Sequence, residues 1–361
     1  MIGGSSGGPV AVAAPGSPPS AASIYRRLAL WRAVVMAVGL GALVLCGLVD
    51  VATGPAFLPL GSVARSVLRL AEDRTVDAIV WSIRLPIALM AVVVGASLGL
   101  TGAIMQTILN NPLASSYTLG VSAGAGFGAA LVIVFGFALP IPDDYAIPVS
   151  AFLFCAIACA AVHLIGQTRG STPEMLVLAG IALLFLFQAL LALLQFIAAP
   201  EALQQIVFWL FGSLQRATWT KVAMVATALA GVVPFLVRDV WRLTALKLGD
   251  DRARGLGVDV QRLRLRAFAL VSVLTGVAVA FVGTIGFVGL IAPHMARMLV
   301  GEDQRGLLPA SALFGALLLS LASVASKTII PGAIFPIGIV TALIGVPFFL
   351  WLILATRRAY W

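Results

Sequence analysis

Residues 78–108 read AIVWSIRLPIALMAVVVGASLGLTGAIMQTI, and from Leu85 to Ile108 they carry no charged side chain. An α-helix rises about 1.5 Å per residue, so such a run covers a bilayer core of roughly 30 Å. The run is continuous and does not alternate apolar with polar residues, which excludes a strand of a membrane barrel. Comparable apolar runs recur from Leu28 to Leu354. Of the 361 residues, 61% are hydrophobic and 10% charged, against roughly 45–50% and about 25% in soluble domains. The chain reads as an all-α polytopic membrane protein.

The pattern predicts ten membrane helices, near 30–50, 78–108, 113–137, 147–166, 174–197, 220–237, 266–282, 285–300, 308–326 and 335–355. Residues 1–24 are uncharged and rich in Gly, Ser, Ala and Pro, and read as a disordered cytoplasmic tail. Residues 25–361 read as a single transmembrane domain. Ten crossings place both termini on one face. With that face inside, the inner segments hold 16 of the 23 Lys and Arg, while the 14 acidic residues split evenly. The whole net charge of +9 then lies on the inner face, and both termini are expected in the cytoplasm. Membrane lipid accounts for such a basic face, so no nucleic-acid partner is expected.

Several chemistries are missing. Cys46, Cys155 and Cys159 lie inside apolar runs, and His163 and His294 are far apart, so no metal-ligand spacing exists. There is no Gly-x-x-x-x-Gly-Lys-Ser/Thr loop to cradle ATP phosphates and no hydrolase triad. No predicted helix carries Asp or Glu in its interior, since Asp50, Asp77, Glu174 and Asp239 fall at helix ends or in loops. Ion-coupled carriers generally need an ionisable group within the membrane. An ion-coupled carrier is therefore disfavoured, and the energy for any active transport must come from another subunit.

Three features remain as candidate sites. The connection 238–265 is the longest inner loop and the most charged, and within it Leu248-Gly249-Asp250-Asp251 and Gly255-Leu256-Gly257 bracket one or two helical turns. It reads either as a solvated loop near headgroups or as a docking surface for a cytoplasmic partner, the second being preferred. Gly95 and Gly99, Gly120 and Gly124, and Gly283, Gly286 and Gly289 recur at helical spacing. They either allow close helix packing or line a wide path for a bulky substrate. Gln106, Asn110, Asn111, Ser115, Ser116 and Tyr117 cluster around Pro112. Irregular backbone at that depth must be buried or face a wet cavity, so the cluster suits a gate at the inner end, or else a plain polar turn.

The residues resemble a family. Arg84-Leu85-Pro86, the stretch Gly95 to Gln106, Asn111-Pro112-Leu113-Ala114 and Leu119 to Ala125 are similar to the FecCD-type permeases, as are Leu248-Gly249-Asp250, Leu256-Gly257-Val258, Gly286 to Arg297, Pro336-Ile337-Gly338 and Ile344 to Phe349. The resemblance spans about 30–356. It implies the type II ABC importer permease fold, the membrane subunit of importers for iron-siderophore complexes, haem or cobalamin in the bacterial inner membrane. It also implies a second permease subunit, preferably an identical copy, and two cytoplasmic ATPases that bind ATP–Mg. A soluble or lipid-anchored binding protein would deliver the substrate. The chain itself would bind no cofactor and perform no chemistry. Gly249, Asp250, Asp251, Arg252, Arg254, Gly255, Leu256 and Gly257 would form the element seated in the ATPase. Asn111 and Leu113 match gate positions, and Ser171 and Thr172 are assigned to the same gate.

Departures from the family pattern fall on the outer face. Ile87 stands where a second arginine is usual, Ser323 where an Asp is, Lys327 where a third arginine is and Ile334 where a Glu is. In relatives, arginines near these points are expected to dock the binding protein. Arg84 and Lys327 are the remaining candidates, with Arg65, Arg69 and Arg74 as possible additions. A lysine cannot reproduce the bidentate fork of an arginine, so weaker or displaced docking is expected.

Overall fold

A computed structural model describes residues 21–54, 57–70, 73–136, 142–167, 172–330 and 333–355. In chain order the helices are α1 (Ala21–Ala52), α2 (Leu60–Val67), α3 (Arg74–Ile79), α4 (Leu85–Ile108), α5 (Val121–Phe135), α6 (Asp143–Gln167), α7 (Pro173–Ile197), α8 (Pro200–Phe211), α9 (Trp219–Leu246), α10 (Asp250–Gly255), α11 (Val260–Val282), α12 (Val288–Val300), α13 (Gln304–Thr328) and α14 (Ile337–Ala355). A π-helical turn, Val80–Arg84, joins α3 to α4. Pro86 lacks an N–H, so a regular α-helical bond cannot form there, and Leu85 instead donates back to Val80.

Among the described residues, seven helices are long and apolar enough to cross a membrane: α1, the α3–α4 run, α6, α7, α9, α11 and α13. Shorter apolar helices α5, α12 and α14 complete the set. Two of the short ones correct the sequence-based boundaries. The helix expected from 113 begins at Val121, because Pro112 restricts Asn111 and the chain passes through positive φ at Asn110 (43°) and Gly120 (75°). The helix expected from 285 begins at Val288, after positive φ at Gly283 (77°) and Phe287 (66°). In the first break Ala114, Ser115, Ser116 and Leu119 are all buried in protein, the condition under which non-helical backbone survives inside a membrane. At the start of the chain, α1 already includes residues 21–24, and residues 1–20 of the expected tail lie outside the described residues.

The α3–α4 run is the centre of the bundle: 83% of its most apolar window is buried, against 22% for α1. Its broadest contact is with α13. Gly95 and Gly99 explain the closeness, since a Cβ on either would collide with the Gly315 or Ser311 carbonyl of α13. Gly289 of α12 lies against the Leu98 carbonyl of α4, where an added Cβ would stand at 3.0 Å. Gly124 of α5 approaches Phe154 of α6 in the same manner. Small residues thus serve backbone contact here. Gly286 differs, because its nearest neighbour is the Tyr117 ring at 3.9 Å, leaving room for a methyl group.

The peripheral α1 is fastened at both ends. At the end that the charge balance assigns to the cytoplasm, termed the inner end, Trp31 donates to the Leu299 carbonyl at 2.8 Å, and Arg32 bonds the Val300 carbonyl and the Asp303 carboxylate, each at 3.1 Å. Burial pushes the Asp303 carboxyl up, but hydrogen bonds from Arg305 and Arg32 outweigh it and leave it below its ordinary value.

Candidate functional site

The inner end holds a cavity of roughly 970 Å³. Its walls include Leu109 to Leu113, the start of α7 at Pro173 and Glu174, and Leu290, His294 and Arg297 of α12, with Phe348 and Phe349 of α14. Asn111 and Leu113 therefore face open space. Asn111 Oδ1 accepts the Leu113 N–H at 2.9 Å, and Ser115 and Thr118 hydrogen-bond one another, so the segment is a folded turn and not a loose strand. Thr172 caps α7 by accepting the Met175 N–H at 3.4 Å and stands at the edge of this wall. Ser171 lies outside the described residues.

A polar network lines the same cavity. Arg297 donates to Gln106 Oε1 at 2.9 Å and pairs with Glu302 at 3.3 Å, while Gln106 Nε2 donates to the Leu290 carbonyl at 3.3 Å. Lys247 lies 3.9 Å from Glu302. Burial lowers its pKa; the Glu302 carboxylate opposes that shift and Arg297 adds to it. Behind this layer the buried Gln304 donates to Thr107 at 2.9 Å. The largely apolar wall thus also carries Lys247 and Arg297 together with Glu174 and Glu302. Sequence reasoning does not group Lys247 with Glu302 and Gln304, since more than fifty residues separate it from them.

The inner connection is shorter than 238–265, because α9 continues to Leu246 and α11 starts at Val260. Between them Gly249 (φ 96°) and Gly257 (φ 81°) bracket α10. This helix has two faces. Asp251, Arg252, Arg254, Gly255, Leu256 and Gly257 are exposed, with the Asp251 side chain 97% and Leu256 65% exposed, whereas Ala253 is buried. Asp250 faces inward and ion-pairs with Arg264, whose side chain is 1% exposed. Asp250 is therefore an anchor of the loop and does not belong with its exposed surface.

The outer end corrects the reading of Arg84 and Lys327 as docking cations. Both are buried. Arg84 Nη1 donates to the Val51 and Ala52 carbonyls, each at 2.9 Å, closing the C-terminus of α1. Lys327 Nζ donates to Asp50 Oδ1 and to the Asp50 carbonyl, each at 3.0 Å. Asp50 is fully buried. A helix C-terminus leaves carbonyls without partners and attracts cations, so both side chains are drawn into the molecule. The exposed outer cations are Arg65, Arg69, Arg74 and Arg216, of which Arg69 pairs with Asp77 and stacks on Trp81. The expectation that helix interiors lack acids fails for Asp239, which lies inside α9 because that helix continues to Leu246; Asp50 lies in the last turn of α1, at a helix end as expected. Asp50 pairs with Lys327, and Asp239 with Arg242 and Arg266.

Among the described residues, ten apolar spans with a cavity at one end and a short two-faced helix at the same end define a polytopic membrane permease. The chain belongs to the FecCD transport family, whose profile matches residues 42–355. It is 38% identical over 303 residues to the hemin transport system permease protein of Yersinia pestis, covering 83% of this chain and 91% of that one. It is 36% identical over 311 residues to the Fe(3+)-citrate import system permease protein of Bacillus subtilis, covering 86% and 92%. A solved structure described as an inward-facing metal-chelate type ABC transporter superimposes with a TM-score of 0.80 at 34% identity, covering 89% of this chain and 99% of that one. The chain is accordingly a multi-pass permease of the ABC transporter class, and the fold expected from its sequence is the one found.

Proposed function

We propose that this permease carries a ferric chelate inward across the bacterial inner membrane, a siderophore complex first and haem second, by alternating access. Two separate ATPases bind ATP–Mg and supply the energy, and the chain binds no cofactor of its own. The carrying observation is the two-faced α10: an exposed charged and apolar surface at Asp251, Arg252, Arg254 and Leu256, anchored from behind by Asp250. A surface of this kind suits the groove of an ATPase on the cytoplasmic side, where the charge balance also places both termini. The cavity beside Asn111 and Leu113 is the inner vestibule, with Thr172 at its edge, and Ser171 belongs to the same gate. A second copy of the chain completes the path. A soluble or lipid-anchored binding protein docks on the outer face through the exposed Arg65, Arg74 and Arg216, since Arg84 and Lys327 are used internally. The iron cargo is favoured because the two named relatives carry haemin and ferric citrate; cobalamin is the alternative.

The test is uptake into proteoliposomes holding the permease, its ATPase and its binding protein, with ferric siderophores, haem and cobalamin in competition. ATP-dependent accumulation of an iron chelate is expected. Flux that ignores ATP, or no flux with any chelate in a well-formed complex, overturns the proposal.

A further inference from the structure

The inner end contains a connection that loop charge alone does not explain. Arg264 lies in the second turn of α11, within the alternation Arg262-Leu263-Arg264-Leu265-Arg266. Its side chain is 1% exposed. Nη1 and Nη2 donate to Asp250 Oδ2 and Oδ1 at 2.8 and 2.9 Å, a two-pronged arrangement. Nε donates to the Ile108 carbonyl at 3.0 Å. Ile108 is the last residue of α4, and the chain leaves it directly into Leu109–Leu113, the wall of the inner cavity. One planar guanidinium therefore ties the short helix α10 to the end of the helix that carries the gate segment.

We propose that Arg264 is a positioning residue for transport: it transmits displacement of α10 to the gate segment 109–113. The inference rests on the reading of α10 as the ATPase-docking element. The physical basis is stiffness. A guanidinium held by three hydrogen bonds in fixed directions cannot swivel, whereas an ammonium on a flexible stem can. The Arg264 side chain is buried and the Asp250 side chain 24% exposed, so drawing the carboxylate away strands the buried guanidinium, and the pair moves as a unit. Asn110, at φ 43°, is the first residue beyond Leu109 and gives the segment a sharp bend on which a pull at Ile108 acts.

The experiment uses the assembled permease, ATPase and binding protein in proteoliposomes, with Leu113→Cys as reporter. Leu113 is 37% exposed, and Cys46, Cys155 and Cys159 are all buried, so a thiol reagent reads the gate. With Arg264→Lys, ATP hydrolysis is expected to continue while uptake per ATP falls about tenfold, and Leu113→Cys labelling no longer changes between ATP-bound and ATP-free states. Asp250→Asn, which keeps the side-chain shape, is expected to move both readouts in the same direction by less, and it decides the matter if Arg264→Lys does not assemble. Unchanged uptake per ATP together with ATP-sensitive labelling in either assembled variant overturns the proposal and leaves Arg264 a packing residue. Leu256→Asp, on the exposed face of α10, separates the two ideas. Normal ATPase assembly with that variant refutes the docking reading itself, whatever Arg264 does.

Discussion

The two ends of the molecule use the same chemistry differently. At the outer end Arg84 and Lys327 close the C-terminus of α1 around Asp50. At the inner end Arg264 closes the C-terminus of α4 and holds Asp250. In both, buried cations satisfy terminal carbonyls and a carboxylate. At the outer end the carboxylate belongs to the long helix being capped, so nothing on the partner side can pull on it. At the inner end it belongs to a six-residue helix whose other face is exposed. A buried ion pair is therefore a clamp or a lever according to which element owns its acid, and its energy alone does not distinguish the two.

The contrast can be broken at several points, beginning with the strongest. Lys327→Ala leaves the fully buried Asp50 charge alone and should lower stability by about 3–5 kcal/mol, read as loss of folded protein in a detergent melting series. Adding Asp50→Asn should recover most of it. If Lys327→Ala melts like wild type, the outer pair is no clamp. Arg84→Gln removes charge-assisted bonds to two carbonyls and should cost about 1.5–3 kcal/mol while leaving binding-protein affinity within about twofold. A tenfold loss of affinity at unchanged stability would restore Arg84 as a docking residue. Gly99→Ala forces a methyl group into the Ser311 carbonyl and should cost about 1–3 kcal/mol, whereas Gly286→Ala should cost under about 0.5 kcal/mol. Equal melting of the two would remove the distinction between packing and open glycines. The smallest effect is expected for Arg216→Glu, which should slow binding-protein association a few fold and lose that effect at high salt. An effect on dissociation alone would place docking elsewhere.

Much of the architecture follows from local properties of the chain. Uncharged runs give the helices. The glycines around Asp250 mark α10, and Pro112 with its polar neighbours marks the turn between α4 and α5. What local pattern could not give is which charge is internal. Lys327 finds Asp50 across 277 positions of sequence, and Arg84 finds Ala52 across 32. Spacing along one helix carries no trace of such pairs, so exposed docking was the natural expectation for both. Arg264 was hidden for another reason: arginine at every second position has no helical period, so the buried member looks like its solvated neighbours. The start of α5 falls later than expected because residues 113–120 hold no charge or proline to mark a break, although their backbone is not helical.

The fastening of α1 has a consequence for biogenesis. This helix leaves the ribosome first, yet its anchors at Leu299, Val300, Asp303 and Lys327 are made some 270 residues later. At about 5–20 residues per second, roughly 15–55 s pass between synthesis of Asp50 and synthesis of Lys327. During that interval Arg84 alone of the polar anchors holds α1, at its C-terminus, and the Asp50 carboxylate awaits Lys327. The N-terminal helix is thus among the last to be locked, and a nascent chain halted before α13 should leave it open to membrane quality-control proteases, while a completed one should not.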